Sequence, residues 1–273
     1  MIHKTIMSII KTILNLYNKK NIDANLLFIK EVSNYTNTIL GKGYRSIGNE
    51  DEVKKLKSFL KSEITNAVDA GANYGQYSES LLNNFKIENL YIFEPSATCI
   101  KELKLKFLNK ENIKIINKGL SDKKELAPFY GEYDGDEGSS LYRRNLDHIN
   151  VNFIDLGRIQ LIKFDTFWEE VMNKEIIDIY KLDIEGNELS ALRGSKNALV
   201  STKVVQFEFG AASIDSKNYF RDYFYFFKEL NFELYRMRPQ SLIKIKKYSE
   251  SDEDFSHSNF IAVNNNFFNT QKN

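Results

Sequence analysis

The chain predicts an α/β protein in which helices flank an open, mostly parallel sheet. Three stretches carry that expectation, each an apolar run that stops at a polar or glycine-rich turn. Residues 67–77 read Ala-Val-Asp-Ala-Gly-Ala-Asn-Tyr-Gly-Gln-Tyr, a strand that ends near Asp69 and turns at Gly71 and Gly75 into a helical pattern with Tyr77, Leu81 and Phe85 spaced by four. Residues 90–93 form a continuous apolar run, as a strand buried on both faces should, and stop at Glu94-Pro95. Residues 176–182 form another and stop at Asp183-Ile184-Glu185-Gly186. Strand, tight turn and helix in succession build a crevice at the carboxyl ends of the strands, where open α/β sheets take their ligands.

The first turn departs from the dinucleotide pattern. Asn73 stands where a second glycine would, and Asn offers a donor and an acceptor, which suits a ligand with an amino-acid end better than a pyrophosphate. Glycine lets the backbone adopt φ > 0 and lets a ligand approach the main chain. Glu94 follows Asp69 at about the βαβ interval at which an acid reaches a ribose diol; helix capping is its other use.

The remaining elements follow in order. Residues 1–60 read as helices before the sheet, with Ile2, Ile6, Ile9, Ile13 and Leu16 at helical spacing, an apolar patch at Leu26, Leu27 and Phe28, and a helix over 52–60. That segment covers the domain, extends it, or packs on a second subunit. Ile100, Leu103 and Phe107 mark the next helix, and 112–117 a third strand. After it, Ser121 and Asp122 either meet a nucleobase edge or serve the turn. Residues 130–145 form a long polar loop in which Gly138-Ser139-Ser140-Leu141 could close over a ligand. Residues 151–162 read as strand, Asp165-Thr166 as a helix start, 187–199 as one helix and 204–209 as a fifth strand. Glu208 stands inside that apolar run, and a buried carboxylate needs a partner or a task. Residues 219–230 give an aromatic-rich helix whose stripe belongs to the core, 232–237 and 260–263 two closing strands, and 264–273 an Asn-rich frayed end. The domain organisation expected is 1–60 helical, 61–265 ligand-binding, and 266–273 tail.

Composition narrows the function. In 273 residues, 42% hydrophobic and 27% charged content is ordinary for a globular protein, and a net charge of +1 supplies no general field to attract nucleic acid or an acidic membrane. The single cysteine, Cys99, excludes an intrachain disulfide and a cysteine zinc cluster, which fits a reducing cytoplasm. No apolar stretch is long enough to span a bilayer.

The turn Asp69-Ala70-Gly71-Ala72-Asn73-Tyr74-Gly75, the triplet Phe93-Glu94-Pro95, the stretch Lys181-Leu182-Asp183-Ile184-Glu185-Gly186 and Glu208 together resemble the FkbM-type S-adenosylmethionine-dependent methyltransferases, over about residues 45–210. The resemblance implies a Rossmann-like seven-stranded sheet with a final antiparallel hairpin. It also implies O-methylation of a hydroxyl, often on a sugar or another natural product, with a link to surface polysaccharide by analogy. By position, Gly71, Asn73 and Gly75 would hold the methionine part of the cofactor, Glu94 its ribose, and Ser121 and Asp122 its adenine. Asp183 and Glu185 would stand between sulfonium and acceptor, and Asp69 and Pro95 complete the cofactor set.

An alcohol is a poor nucleophile, so a positioned base is wanted. Asp183, Glu185 and Glu208 are the carboxylates available. Of the three histidines, His3, His148 and His257, the last precedes the closing strand and could overhang the crevice. A divalent metal on Asp183, Glu208 and His257 is the alternative to a protein base. Two readings from other classes remain: a nicotinamide-dependent oxidoreductase, against which Asn73 and the missing third glycine speak, and a non-catalytic module that keeps the cofactor fold.

Overall fold

A computed structural model gives the fold, and it describes residues 8, 11–12, 22–43 and 48–268. The helix expected around Ile2–Leu16, His3, and positions 269–273 of the expected tail lie outside the described residues, apart from Ser8, Lys11 and Thr12.

In chain order the elements are α1 (Ile22–Ile39), α2 (Asn49–Leu56), β1 (Glu63–Ala70), α3 (Gln76–Asn84), β2 (Lys86–Phe93), α4 (Ala97–Lys106), β3 (Ile113–Ile116), β4 (Gly119–Leu120), β5 (Glu125–Gly131), β6 (Ile154–Ile162) and α5 (Phe164–Glu170). Then follow β7 (Ile177–Leu182), α6 (Glu188–Arg193), α7 (Lys196–Val200), β8 (Thr202–Phe209), α8 (Ala212–Ser216), α9 (Phe220–Glu229), β9 (Phe232–Met237), β10 (Leu242–Ile245), β11 (Ser258–Asn264) and α10 (Asn265–Phe268).

The main sheet runs β10-β9-β11-β8-β7-β1-β2-β3. Strands β3, β2, β1, β7 and β8 are mutually parallel, and β11 is antiparallel to both β8 and β9. Chain order reverses between β1 and β7, which opens a crevice at their carboxyl ends. The apolar runs explain the central strands: all six residues of β7 are buried, because helices cover both faces. One face packs Leu81, Leu103, Val53 and Leu56 of α2, α3 and α4, and the other packs Phe164, Leu192, Phe220, Tyr223 and Phe227. The aromatic stripe of α9 is core, with Tyr223 stacked on Phe207 at 5.1 Å.

Four details go beyond the sequence expectation. The sheet has an eighth strand, β10, antiparallel to β9 at the edge, where the seven-stranded expectation ends. A second sheet, β4-β6-β5, stands beside it. The single helix expected over 187–199 is two, α6 and α7, broken at Gly194-Ser195. There Ser195 Oγ donates to the Ala191 carbonyl and meets Tyr180 Oη at 3.1 Å, which ends the first helix against the core. Residues 265–268, expected frayed, form α10, and Phe268 meets Phe59 edge-on at 6.4 Å. No described helix is long and apolar enough to cross a membrane.

Candidate functional site: a cleft at the strand ends

The cleft lies over the β1/β7 switch point and opens to solvent. Its floor is the turn after β1. Gly71 has φ +77°, and a Cβ there would collide with the Asp183 carbonyl oxygen, so only glycine lets this turn touch the end of β7. Asn73 follows at φ +48°, and Gly75, at φ +80°, starts α3 in a left-handed conformation. Gly75 faces Leu103 and Phe107 rather than the cleft, so its smallness serves helix packing.

Glu94 closes one side. It is buried, and its two oxygens accept the Asn73 and Ser96 backbone N–H groups, each at 2.8 Å. Burial pushes its carboxyl up to about 7, against the pull of those two N–H donors. Each oxygen keeps one lone pair for a further donor. The second sheet forms the opposite wall through Phe129, Ile159 and Leu161. Pro95, Lys118, Gly119 and Leu120 line the end where Ser121 and Asp122 were expected. Ser121 is turned away from the cleft: it is buried, meets Ser190 Oγ at 3.2 Å, and its N–H donates to Ile162. Asp122 is exposed beside it, because the β4–β6 pairing swings the chain outward after Leu120.

The loop after β5 crosses this cleft, as its composition suggested. Ser140 pairs with Tyr130 through the backbone and donates its Oγ to the Glu185 carbonyl at 2.6 Å. The Gly135 carbonyl accepts from Asn73 Nδ2 at 3.2 Å. Arg144 reaches Glu185 Oε2 and Asp215 Oδ2, both at 3.2 Å.

Beyond the turn, three carboxylates converge from two strand ends. One oxygen each of Asp183, Glu185 and Glu208 lies within 4.8 Å of the others. His257 Nδ1 is 3.0 Å from Glu208 Oε1. Burial among like charges pushes Glu185 and Glu208 well above the ordinary carboxylate value. The carboxylate trio therefore contains Glu185 where the expected metal set had His257, and His257 stands on its edge through Glu208. His148 is exposed in a short 3-10 turn elsewhere on the loop. Asp69 lies beneath the turn, fully buried, accepting from Ser78 Oγ at 2.6 Å and facing Lys181 at 3.3 Å.

Three residues escaped the sequence reading. Arg144 carries no local signal within its loop. Glu188 folds back to accept from the Ile184 and Gly186 N–H groups, which shapes the Asp183–Gly186 turn; an acid opening a helix is its only sequence mark. Glu52, on α2, accepts from Gln206 and Asn259, each at 2.7 Å, and Gln206 in turn accepts from Tyr77 at 2.6 Å. The N-terminal segment thus puts a buried carboxylate under the site.

Burial, reinforced by Asp183, lifts Glu52 from 4.5 to about 7. A raised carboxyl contributes stability that is complete below the unfolded value and is lost as pH climbs through the folded value. Relative to Glu52→Gln, which titrates nowhere, the unaltered protein should lose up to about 3 kcal/mol between pH 4.5 and 7. Urea unfolding of both proteins across that range measures it; parallel curves would refute it.

A family model described as the Methyltransferase FkbM domain matches residues 69–234. No curated protein matches the chain. Among solved structures the chain is similar to Methyltransferase FkbM from Methylobacillus flagellatus KT, at 16% identity and a TM-score of 0.48, over 78% of this chain and 47% of that one. It is similar as well to SMU.1697c, a putative methyltransferase from Streptococcus mutans in complex with SAH, at 14% identity and a TM-score of 0.44, covering 78% and 94%. A third is an rRNA methylase from Streptococcus thermophilus, at 14% identity and a TM-score of 0.41, covering 78% and 93%. The chain spans about half the length of the Methylobacillus protein.

Proposed function

The chain belongs to the FkbM methyltransferase domain family, and from that premise we propose that it transfers a methyl group from S-adenosylmethionine to a hydroxyl of a sugar or sugar nucleotide, in surface-polysaccharide synthesis. The observation that carries the hydroxyl-directed reading is the Glu208–His257 pair at 3.0 Å, in which a Glu208 oxygen lies within 4.8 Å of one of Asp183, a residue that lines the cleft.

The residues present fit the cofactor. Gly71 and Asn73 line the cleft, and Glu94 keeps acceptor capacity after meeting two N–H groups. Gly71 and Asn73 would hold the methionine part, Glu94 the ribose, and Pro95 with Lys118–Leu120 the base. When bound, S-adenosylmethionine supplies a methyl already activated on a sulfonium. The protein then has two tasks. It aligns the acceptor oxygen, which can be worth about 7–11 kcal/mol of barrier. It also removes the hydroxyl proton, and His257, held at 3.0 Å from Glu208, is the base assigned to that step.

Calorimetric titration with S-adenosylhomocysteine tests the cofactor reading, and no heat at saturating ligand would end it. A screen of nucleotide-activated sugars and oligonucleotides with labelled methyl donor tests the acceptor; label in oligonucleotide alone would overturn the sugar assignment.

The carboxylate trio favours a second reading of the proton step. Oxygens of Asp183, Glu185 and Glu208 within 4.8 Å of one another could hold a divalent cation that lowers the acceptor's pKa. Under that reading a chelator abolishes turnover and Mg²⁺ or Mn²⁺ restores it, whereas a His257 base works unchanged in the chelator.

A further inference from the structure

Lys181 is buried on β7, two residues before Asp183. Its Nζ lies 3.3 Å from Asp69 Oδ1 and 3.6 Å from Asp183 Oδ2, and it donates to the Gly71 carbonyl at 3.0 Å. The Tyr77 ring sits 5.1 Å away on another side. One ammonium therefore touches the end of β1, the glycine turn and the carboxylate that faces the cleft.

The two acids differ in what they need from it. The Asp69 side chain has no exposure, so without a cation it would be a buried bare charge. Asp183 is 43% exposed and is partly solvated on its own. Asp69 alone could satisfy a buried lysine; the extension to Asp183 is a separate feature of the geometry. It holds that carboxylate against the turn and offsets part of its charge where Asp183 lines the cleft.

We propose that Lys181 is a specificity-determining residue that sets how strongly the cleft prefers a cationic ligand over a neutral one at the transfer point, by pinning and partly compensating Asp183. The proposal rests on the cofactor reading above. S-adenosylmethionine is positive at sulfur and the demethylated product is neutral there. An uncompensated Asp183 would favour the cation strongly; Lys181 moderates that preference so that substrate and product bind on a similar scale.

The test is calorimetric titration of the full chain with two probes at one pH. Sinefungin carries an amine in place of the methylsulfonium, and S-adenosylhomocysteine is neutral at that position. Lys181→Met should raise the sinefungin to S-adenosylhomocysteine affinity ratio by about tenfold. Asp183→Asn should lower the ratio, and Lys181→Arg should keep it near the original. A folded Lys181→Met protein that weakens both ligands alike, with the ratio unmoved, overturns the proposal and leaves Lys181 a structural residue. If Lys181→Met does not fold, Asp183→Asn decides: an unchanged ratio there overturns the proposal equally. Failure of both probes to bind the unaltered protein removes the cofactor reading and this proposal with it, an outcome distinct from binding with a fixed ratio.

Discussion

His257→Ala should lower turnover by about 10²–10⁴-fold, the range for losing a positioned general base, while S-adenosylhomocysteine affinity stays nearly constant. The reason for the split is spatial. His257 enters from the loop before β11 and touches Glu208, whereas the turn and the acid assigned to the cofactor stand on β1 and β2. Glu208→Gln should fall between the two extremes, because it keeps an oxygen that can accept at the His257 ring and loses the ionisable carboxyl. Single-turnover rates with labelled donor, set beside calorimetric affinities, measure both quantities. Equal losses in rate and in cofactor affinity would mean that His257 shapes the fold and takes no proton. Full activity of His257→Ala together with complete loss of activity in chelator would transfer the proton step to a metal on the carboxylate trio.

Gly71→Ala should abolish cofactor binding and destabilise the fold together. Two costs add. The residue sits at φ +77°, a conformation that L side chains rarely adopt, which costs on the order of 1–3 kcal/mol. The new methyl would also meet the Asp183 carbonyl oxygen, which is backbone held by the β1–β7 pairing and cannot swing aside. The turn must therefore move away from β7, carrying Asn73 and the Glu94 contact with it. A displacement on the order of 1 Å is enough for about a 10²-fold loss in a preorganised site. Gly157→Ala is the matched control. Gly157 has φ +105° with nothing near its absent Cβ, so it should show the backbone cost without the collision and leave cofactor affinity intact. Thermal melts and S-adenosylhomocysteine titrations of both variants separate the contributions. Similar behaviour of the two would show that strain alone accounts for the effect.

Much of this architecture was legible before the structure because parallel strands announce their ends locally. A fully buried strand reads as an unbroken apolar run, and it stops at residues that cannot continue a ladder. Glu94-Pro95 and Asp183 stand at such stops and Asp69 one residue before the end of β1, so their arrival at one end of the sheet followed from topology. Glu208 was legible for another reason: an acid inside an apolar run must be neutralised or used. The pairing of Glu208 with His257 was suggested only by proximity to the closing strand, whose placement next to β8 in reversed direction brings the two within hydrogen-bond reach.

The amino-acid order by itself determined the alternation of strand and helix, the glycine turn, and which acids cap the strands, since each depends on neighbours within a few positions. Only the folded chain decided that Arg144 grips Glu185, that Glu52 reaches under the site from α2, and that Lys181 is shared between Asp69 and Asp183. It likewise decided that Leu120 rather than Ser121 faces the cleft. Those facts depend on contacts between segments tens to hundreds of residues apart, and on which way a short strand twists. Periodicity is silent about both, because a side chain's partner across space leaves no mark in its own stretch of sequence.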